Sequence, residues 1–266
     1  MRNKYRMQTD LTNKVALITG AAKGLGAYYA KLLANNGAHV IVTGRKNSKN
    51  GLNNLVEELM ADGNKASALI LDIREISTFK DKVAEIVDQF KHIDILINNA
   101  AVTLDQSFFE VDEANWNLHF DTNLKGLFFL SQAVADQMRS QEGYKSIINI
   151  AAVNGQKVRK NCIPLGASKA GVIHLTKMMA YELIDDKIKV NAISLGLFPS
   201  EAVEKYLQED PSAKDYLNRI PAKRAGDFAD LDGPLLLLAS DASNYMNGSI
   251  INVDGGFSSD VFMPAK

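Results

Sequence analysis

Val15-Ala16-Leu17-Ile18-Thr19-Gly20-Ala21-Ala22-Lys23-Gly24-Leu25-Gly26 is a short apolar run that ends in a glycine-rich turn and passes at once into a stretch of helical period. The β-branched and leucine side chains of Val15–Thr19 favour an extended strand. Gly20, Gly24 and Gly26 permit the positive φ of a tight turn and let backbone N–H groups come close to a ligand. A helix starting there aims its partial positive charge at the same point, which is the chemistry of a dinucleotide pyrophosphate site. The spacing is G-x-x-x-G-x-G, and three glycines at a turn also serve plain structural bends. The strand, loop and helix in succession are what point to a nucleotide.

Working outward, the same alternation of short apolar runs and longer helical stretches continues along the chain, which is the pattern of βαβ units. The runs that read as strands are Val15–Thr19, His39–Thr43, Ala66–Leu71, Ile93–Asn98, Ser146–Ala151, Lys189–Ile193 and Ser249–Val253. Their near-continuous apolar character implies burial on both faces. Helices are expected over Gly24–Asn36, Gly51–Asp62, Ile76–Phe90, Glu113–Gln141, Leu165–Asp185 and Asp227–Ser240, with Gly37 and Gly63 just past two of the ends. Right-handed crossovers then give a single doubly wound, Rossmann-type α/β domain over 1–266, a seven-stranded parallel sheet flanked by helices on both faces. Ser194–Gly226 is the one long stretch without a clear element, and is expected to be a lid or substrate-side segment.

Composition narrows the function. The 266 residues carry 30 Lys+Arg against 31 Asp+Glu, a net charge of −1, so no electrostatic field recommends a nucleic acid partner. The single cysteine, Cys162, excludes an intrachain disulfide, and His39, His92, His119 and His174 show no metal-ligand spacing. The polar segment Met1–Asp10 has no signal-like apolar core, and the purest apolar run, Leu235–Ala239, is far short of the ~18 residues that span a bilayer. A cytoplasmic protein without membrane partners is expected.

The second strand gives the coenzyme preference. A carboxylate for the adenosine ribose is expected roughly 20 residues beyond the glycines, yet the strand ends Thr43-Gly44-Arg45-Lys46. Lys23 and Arg45, with Lys46, suit a 2′-phosphate, so NADP is favoured over NAD. The plain alternative is a set of solvated charges on a surface turn.

From Leu11 to Gly256 the chain resembles the short-chain dehydrogenase/reductase family, through several motifs in order. They are the Gly20/Gly24/Gly26 loop, Asp72 after the third strand, Asn98-Asn99-Ala100-Ala101 after the fourth, Asn123, Ala167-Ser168-Lys169, Asn191-Ala192-Ile193-Ser194 and Val253-Asp254-Gly255-Gly256. The resemblance implies that Asp72 and Ile73 touch adenine and that Asn98 and Ala100 line the cofactor path. It also implies that Lys169 binds the nicotinamide ribose, that Gly196 belongs to the cofactor-binding set, and that Ser200 stands where a Thr contacts the carboxamide. Leu25 falls in the same set through the glycine loop.

The departures carry as much weight. In this family a Ser comes 13 residues before a Tyr, and the Tyr four before the Lys. Counting back from Lys169 gives Leu165 for the Tyr and Ala152 for the Ser, and Ala151 offers no hydroxyl either. Ala101 and Leu195 replace the last Gly of the Asn-Asn-Ala-Gly motif and the Pro of a Pro-Gly turn. Hydride exchange at a carbon bearing oxygen needs a proton supplied or removed. In the family a phenol does this beside the lysine, while the serine hydroxyl positions the substrate oxygen. Leucine and alanine do neither, and a lost acid/base group costs ~10²–10⁴ in rate. Asn123 and Lys169 then remain as catalytic remnants.

Cys162, His119, Lys157, Arg159 and Lys160 border the same region and are the substitutes to weigh as proton donors. Their ordinary readings are a small packing residue, a satisfied helix histidine and a solvated basic loop; the sharper reading of the loop is an anion-binding rim. Three functions stay open: a nicotinamide-binding protein without the usual catalysis, acting as partner or regulator; an active NADP-dependent oxidoreductase with a non-standard proton donor on an alcohol, ketone or sugar-like substrate; and a lyase or isomerase. The resemblance also implies a homodimer or homotetramer through the long helices, with pairing to an active relative as an alternative.

Overall fold

Strand β1 (Val15–Ile18) is buried along its whole length and lies between β2 (His39–Gly44) and β4 (Ile95–Asn98) in the computed structural model, which describes residues 9–210 and 213–259. Residues 1–8 of the polar amino-terminal segment lie outside the described residues. With β3 (Lys65–Ile70), β5 (Lys145–Ala152), β6 (Ile188–Leu195) and β7 (Ile250–Val253), the sheet has the order β3-β2-β1-β4-β5-β6-β7, all neighbours parallel. The chain reverses its lateral direction between β1, which pairs Val15 with His39 on one side, and β4, which pairs Ile95 with Ala16 on the other. In sheets of this kind such a reversal leaves a crevice beyond the carboxyl ends of the strands, the usual place for a ligand.

Both faces of the sheet are covered. On one side α1 (Gly24–Asn35), α2 (Lys49–Ala61) and α9 (Asp232–Ala239) bring Leu33, Leu52, Leu59, Leu235 and Leu238 onto Val40, Val42, Ile95 and Ile148. On the other, α3 (Phe79–Phe90), α5 (Gly126–Met138) and α6 (Ile163–Leu183) bring Phe79, Val83, Leu130, Val134 and Met179 onto Leu17, Leu96, Ile147 and Val190. Two-sided burial explains the unbroken apolar runs. It fails at the edges: β3 alternates buried with exposed or half-buried positions, and β7 has no fully buried residue.

Several expected helices are divided. Ile76–Phe90 begins with a 3₁₀ turn over Ile76–Thr78, and Asp227–Ser240 begins with one over Phe228–Leu231 that carries an Asp227/Asp230 capping box. The expected helix Glu113–Gln141 is α4 (Glu113–Phe120), a π-helical segment at Asp121–Lys125, and α5, which ends at Met138. Directly after the π turn, a Cβ on Gly126 would overlap the carbonyl oxygen of Ile73, so the helix meets the loop after β3 at backbone contact and only glycine fits there. Ser194–Gly226, which reads as irregular, contains the end of β6 and two helices, α7 (Glu201–Glu209) and α8 (Ala213–Arg219). Each is shorter than ten residues, too short to stand out from an irregular stretch by periodicity alone.

Among the described residues no helix is long and apolar enough to cross a membrane, and no group of three or more His, Cys, Asp or Glu is placed to hold a metal ion.

Candidate cofactor and active site

The glycine turn is held from below by the end of β4. Thr19 Oγ1 accepts from the backbone N–H groups of Asn99 and Ala100, both at 3.0 Å, and Asn99 Nδ2 donates to the carbonyls of Thr19 at 2.9 Å and Gly20 at 3.1 Å. Ala21 N–H bonds Thr43 O at 2.9 Å, tying the turn to β2 as well. Gly20 has φ +65°, and a Cβ there would lie 2.9 Å from Ala100 Cα; a Cβ on Gly26 would lie 2.7 Å from Asn99 Nδ2 and collide with Gly20 O. These two positions are closed to any side chain, whereas the space beside Gly24 is open. Lys23 precedes α1 without a side-chain cap, so the first amides of α1 are left for solvent or a ligand. A bare, electropositive backbone surface of this kind fits the pyrophosphate of a dinucleotide.

Arg45 and Lys46, expected at the adenosine end, are exposed after β2. Asp72 is turned onto Arg74: Arg74 donates from Nε to Oδ1 at 3.2 Å, from Nη2 to Oδ2 at 3.0 Å and from its backbone N–H to Oδ1 at 3.0 Å. The Arg74 hydrogen bonds hold the Asp72 carboxyl below its usual pKa range. Ile73 is buried in the core beside Phe79, so its side chain packs inward.

Asn98, expected along the cofactor path, is placed inside the sheet. Its amide donates to Ser131 Oγ at 2.8 Å and Asn149 Oδ1 at 2.9 Å, and Asn149 in turn donates to Thr176 Oγ1 at 3.0 Å. The alternation of a strand explains this: Asn98 is the last residue of β4, and its side chain points to one face while the loop beyond the strand lines the cleft. Asn99, absent from the expected site, is the residue that braces the turn. Its only signal in the sequence is membership of the Asn98-Asn99-Ala100-Ala101 run.

Asn123 sits in the π turn and grips the loop after β4. Its Oδ1 accepts from Val102 N–H at 2.8 Å, and its Nδ2 donates to Val102 O at 3.1 Å and to Ser168 Oγ at 3.2 Å. Ser168 donates onward to Leu165 O at 2.8 Å. Lys169, 5% exposed, donates from Nζ to Ile150 O at 2.7 Å, and burial pushes its pKa down to about 8. Leu165 is buried one helical turn before it, and Ala152 ends β5 just ahead of the turn that packs on α6. That packing is close: a Cβ on Gly155 would stand 2.7 Å from the backbone of Lys169 and Ala170.

Of the substitute groups, His119, Cys162 and Arg159 are engaged in hydrogen bonds. His119 is fully buried, with Nδ1 on Asn115 O at 2.9 Å and Nε2 accepting from Leu104 N–H at 3.2 Å. Cys162 Sγ donates to Arg159 O and accepts from Asn154 Nδ2, both at 3.2 Å. Arg159 makes a forked pair with Asp105, two contacts of 2.7 Å. Gly196 packs on Asp254, where a Cβ would be 2.6 Å from its Cα, and Ser200 caps α7 by accepting from Val203 N–H at 3.3 Å.

Away from this site, a groove of about 1070 Å³ lies between α3, α5 and α6, lined in part by Phe128, Phe129, Met178 and Met179.

A family model described as Enoyl-(Acyl carrier protein) reductase matches residues 20–258. The chain is 36% identical over 244 residues to the 3-oxoacyl-[acyl-carrier-protein] reductase FabG of Staphylococcus epidermidis, covering 92% of this chain and 98% of that protein. It is 36% identical over 248 residues to the 2-dehydro-3-deoxy-D-gluconate 5-dehydrogenase of Dickeya dadantii, covering 93% and 96%. Among solved structures, a gluconate 5-dehydrogenase from Burkholderia cenocepacia in complex with NADP and tartrate superposes with a TM-score of 0.90 at 32% identity, over 96% of this chain and 99% of that one. With the glycine turn, the β1/β4 crevice and the sheet order in place, this protein belongs to the short-chain dehydrogenase/reductase family.

Proposed function

We propose that the chain binds NADP across the β1/β4 crevice and that its ordinary carbonyl or alcohol hydride transfer is impaired, leaving it a non-catalytic partner subunit or cofactor-responsive regulator. The pyrophosphate falls to the amides after Gly20, and the 2′-phosphate to Arg45 and Lys23. The nicotinamide ribose falls to the two Lys169 donors that make no hydrogen bond among the described residues. NADP bound in the gluconate 5-dehydrogenase structure supports the coenzyme choice.

The observation that carries the reading is Leu165: a buried hydrocarbon one turn before Lys169, at the position from which the family's phenol works. The coenzyme, when bound, supplies the hydride chemistry of its nicotinamide ring. This chain then has to orient a carbonyl or hydroxyl oxygen and exchange its proton. Ala152 offers no hydrogen bond to that oxygen, and Leu165 no proton. A buried oxygen without a partner costs ~1–3 kcal/mol, so the site disfavours the usual substrate pose. His119 and Cys162, committed to backbone and Asn154, do not stand in.

A second reading, an active oxidoreductase on an alcohol, ketone or sugar-like substrate, draws on Lys169. A pKa near 8 lets its ammonium exchange a proton close to neutral pH. Relatives named as dehydrogenases of sugar acids support that substrate class.

The test is a fluorescence titration with NADPH and NADH, followed by a screen of ketones, alcohols and sugar acids for absorbance change of the nicotinamide. NADPH binding without turnover supports the first reading. Turnover in the unaltered protein supports the second, and absence of binding removes both.

The groove between α3, α5 and α6 fits a second copy of this chain. It is lined by apolar side chains of the two long helices, and Met178, Tyr181 and Ile184 stand exposed on α6 and just beyond it.

A further inference from the structure

The sheet order decides where the two halves of a dinucleotide lie. With the pyrophosphate at the turn after β1 and the nicotinamide ribose at Lys169 on the β5/α6 side, as proposed above, the adenosine half extends over the carboxyl ends of β2 and β3. Leu71 N–H bonds Gly44 O at 2.9 Å, so the residues that follow β3 run beside those that follow β2. Leu69, Leu71 and Ile73 enter the core under α3 and α5. Alternation turns Asp72, between the last two, toward the side of the sheet that carries α1 and the glycine turn. A carboxylate there is placed to read a purine at its six position, where adenine has an amine that donates and a 6-oxo purine an oxygen that accepts.

Arg74 has taken that acceptor first. Asp72 Oδ1 receives the Arg74 backbone N–H at 3.0 Å and Nε at 3.2 Å, and Oδ2 receives Nη2 at 3.0 Å. A carboxylate has about four lone-pair sites, so most of its capacity is filled, and the flat edge of the guanidinium cancels its charge. The local backbone is fixed: Glu75 N–H bonds Asp72 O at 3.0 Å, and the carbonyl of Ile73 abuts Gly126. The Asp72 side chain is 16% exposed and that of Arg74 42%, so the pair turns its guanidinium outward and its carboxylate inward.

We infer that Arg74 is a specificity-determining residue which, by occupying Asp72, leaves the coenzyme site blind to the six-position group of the purine. The site then selects its ligand through the phosphates, at the turn after Gly20 and at Arg45, and takes adenine and hypoxanthine dinucleotides alike. This departs from the contact that the family resemblance implies for Asp72. Removing Arg74 restores that contact, because a carboxylate with both oxygens open accepts the adenine amine and repels the oxygen of hypoxanthine. The inference rests on the coenzyme reading above for the place of the dinucleotide.

The test is a fluorescence titration of the full chain with NADPH and with reduced nicotinamide hypoxanthine dinucleotide phosphate near neutral pH. The ratio of the two dissociation constants is the readout, since a loosened loop weakens both ligands alike. In the unaltered chain the two should agree within about threefold. Arg74→Ala should raise the preference for NADPH to about tenfold or more, the effect of one charge-assisted hydrogen bond. Arg74→Lys, which keeps the charge and loses the flat edge, should fall between. Asp72→Ala should leave the ratio as in the unaltered chain, and Arg74→Ala combined with Asp72→Ala should lose the gain. A preference of about tenfold or more in the unaltered chain overturns the inference alone, as does an unchanged ratio in Arg74→Ala or a gain that persists in the double variant. Failure of the unaltered chain to bind either dinucleotide overturns the coenzyme reading and this inference with it.

Discussion

Asn99 donates its side-chain amide to the carbonyl of Gly20 at 3.1 Å, across the junction where β4 meets the turn after β1. The contact lets one strand set the shape of another strand's loop, and Gly26 must lack a side chain because Asn99 Nδ2 fills the space. Asn99→Ala should therefore leave the sheet folded, loosen the turn and weaken NADPH by about tenfold, read by fluorescence titration. Gly26→Ala should abolish measurable binding. Unchanged affinity in both variants would mean that the coenzyme does not use this turn.

Arg45 should decide between coenzymes. A guanidinium on the 2′-phosphate is a charge-assisted contact worth ~1.5–3 kcal/mol, so Arg45→Gln should weaken NADPH by about tenfold or more and leave NADH nearly unaffected. The ratio of the two dissociation constants measures this directly.

Placing a hydroxyl and a phenol at the two positions counted back from Lys169 is the sharpest test of the proposed catalytic reading. Ala152→Ser with Leu165→Tyr should raise carbonyl reduction by at least ~10² over the unaltered chain, with Leu165→Tyr alone giving the larger part. A steady-state assay with NADPH and a panel of small ketones is sufficient. No gain would show that the rest of the pocket has diverged as well.

Stability should rise with pH between about 8 and 10. Burial pushes Lys169 and Lys189 down to about 8 from 10.5, so in this window the unfolded chain binds more protons than the folded one, and unfolding becomes harder as pH increases. Below about 8 both states hold the protons and the slope vanishes. Above 10 the raised tyrosines act the other way: Tyr28, partly buried and bonded to Asp232, is pushed up to about 12. Urea midpoints at pH 8, 9 and 9.8 should show the slope, and Lys169→Met and Lys189→Met should each reduce it.

The α3/α5/α6 groove should be where copies meet. Light scattering should give a dimer or tetramer for the unaltered chain. Phe129→Glu with Met178→Glu should release monomers, while NADPH affinity changes by less than the cleft variants change it. A monomeric wild-type chain would leave the groove without this occupant.

The sequence alone determined the architecture, because burying both faces of a parallel sheet leaves unbroken apolar runs, and because glycines between a strand and a helix open the backbone to a phosphate. Counted back from Lys169, it also raised the expectation that Ala152 and Leu165 stand where the family carries a hydroxyl and a phenol. The division of Glu113–Gln141 into α4, a π turn and α5 was not readable, and neither was the backbone contact of Gly126 with Ile73 from another part of the chain. Tertiary structure alone decided which face each asparagine serves: Asn98 bonds Ser131 and Asn149 inside the sheet, while Asn99, one position on, holds the glycine turn. Local preference and periodicity are written in neighbouring residues, but a hydrogen-bond partner from a distant element exists only once the sheet has assembled.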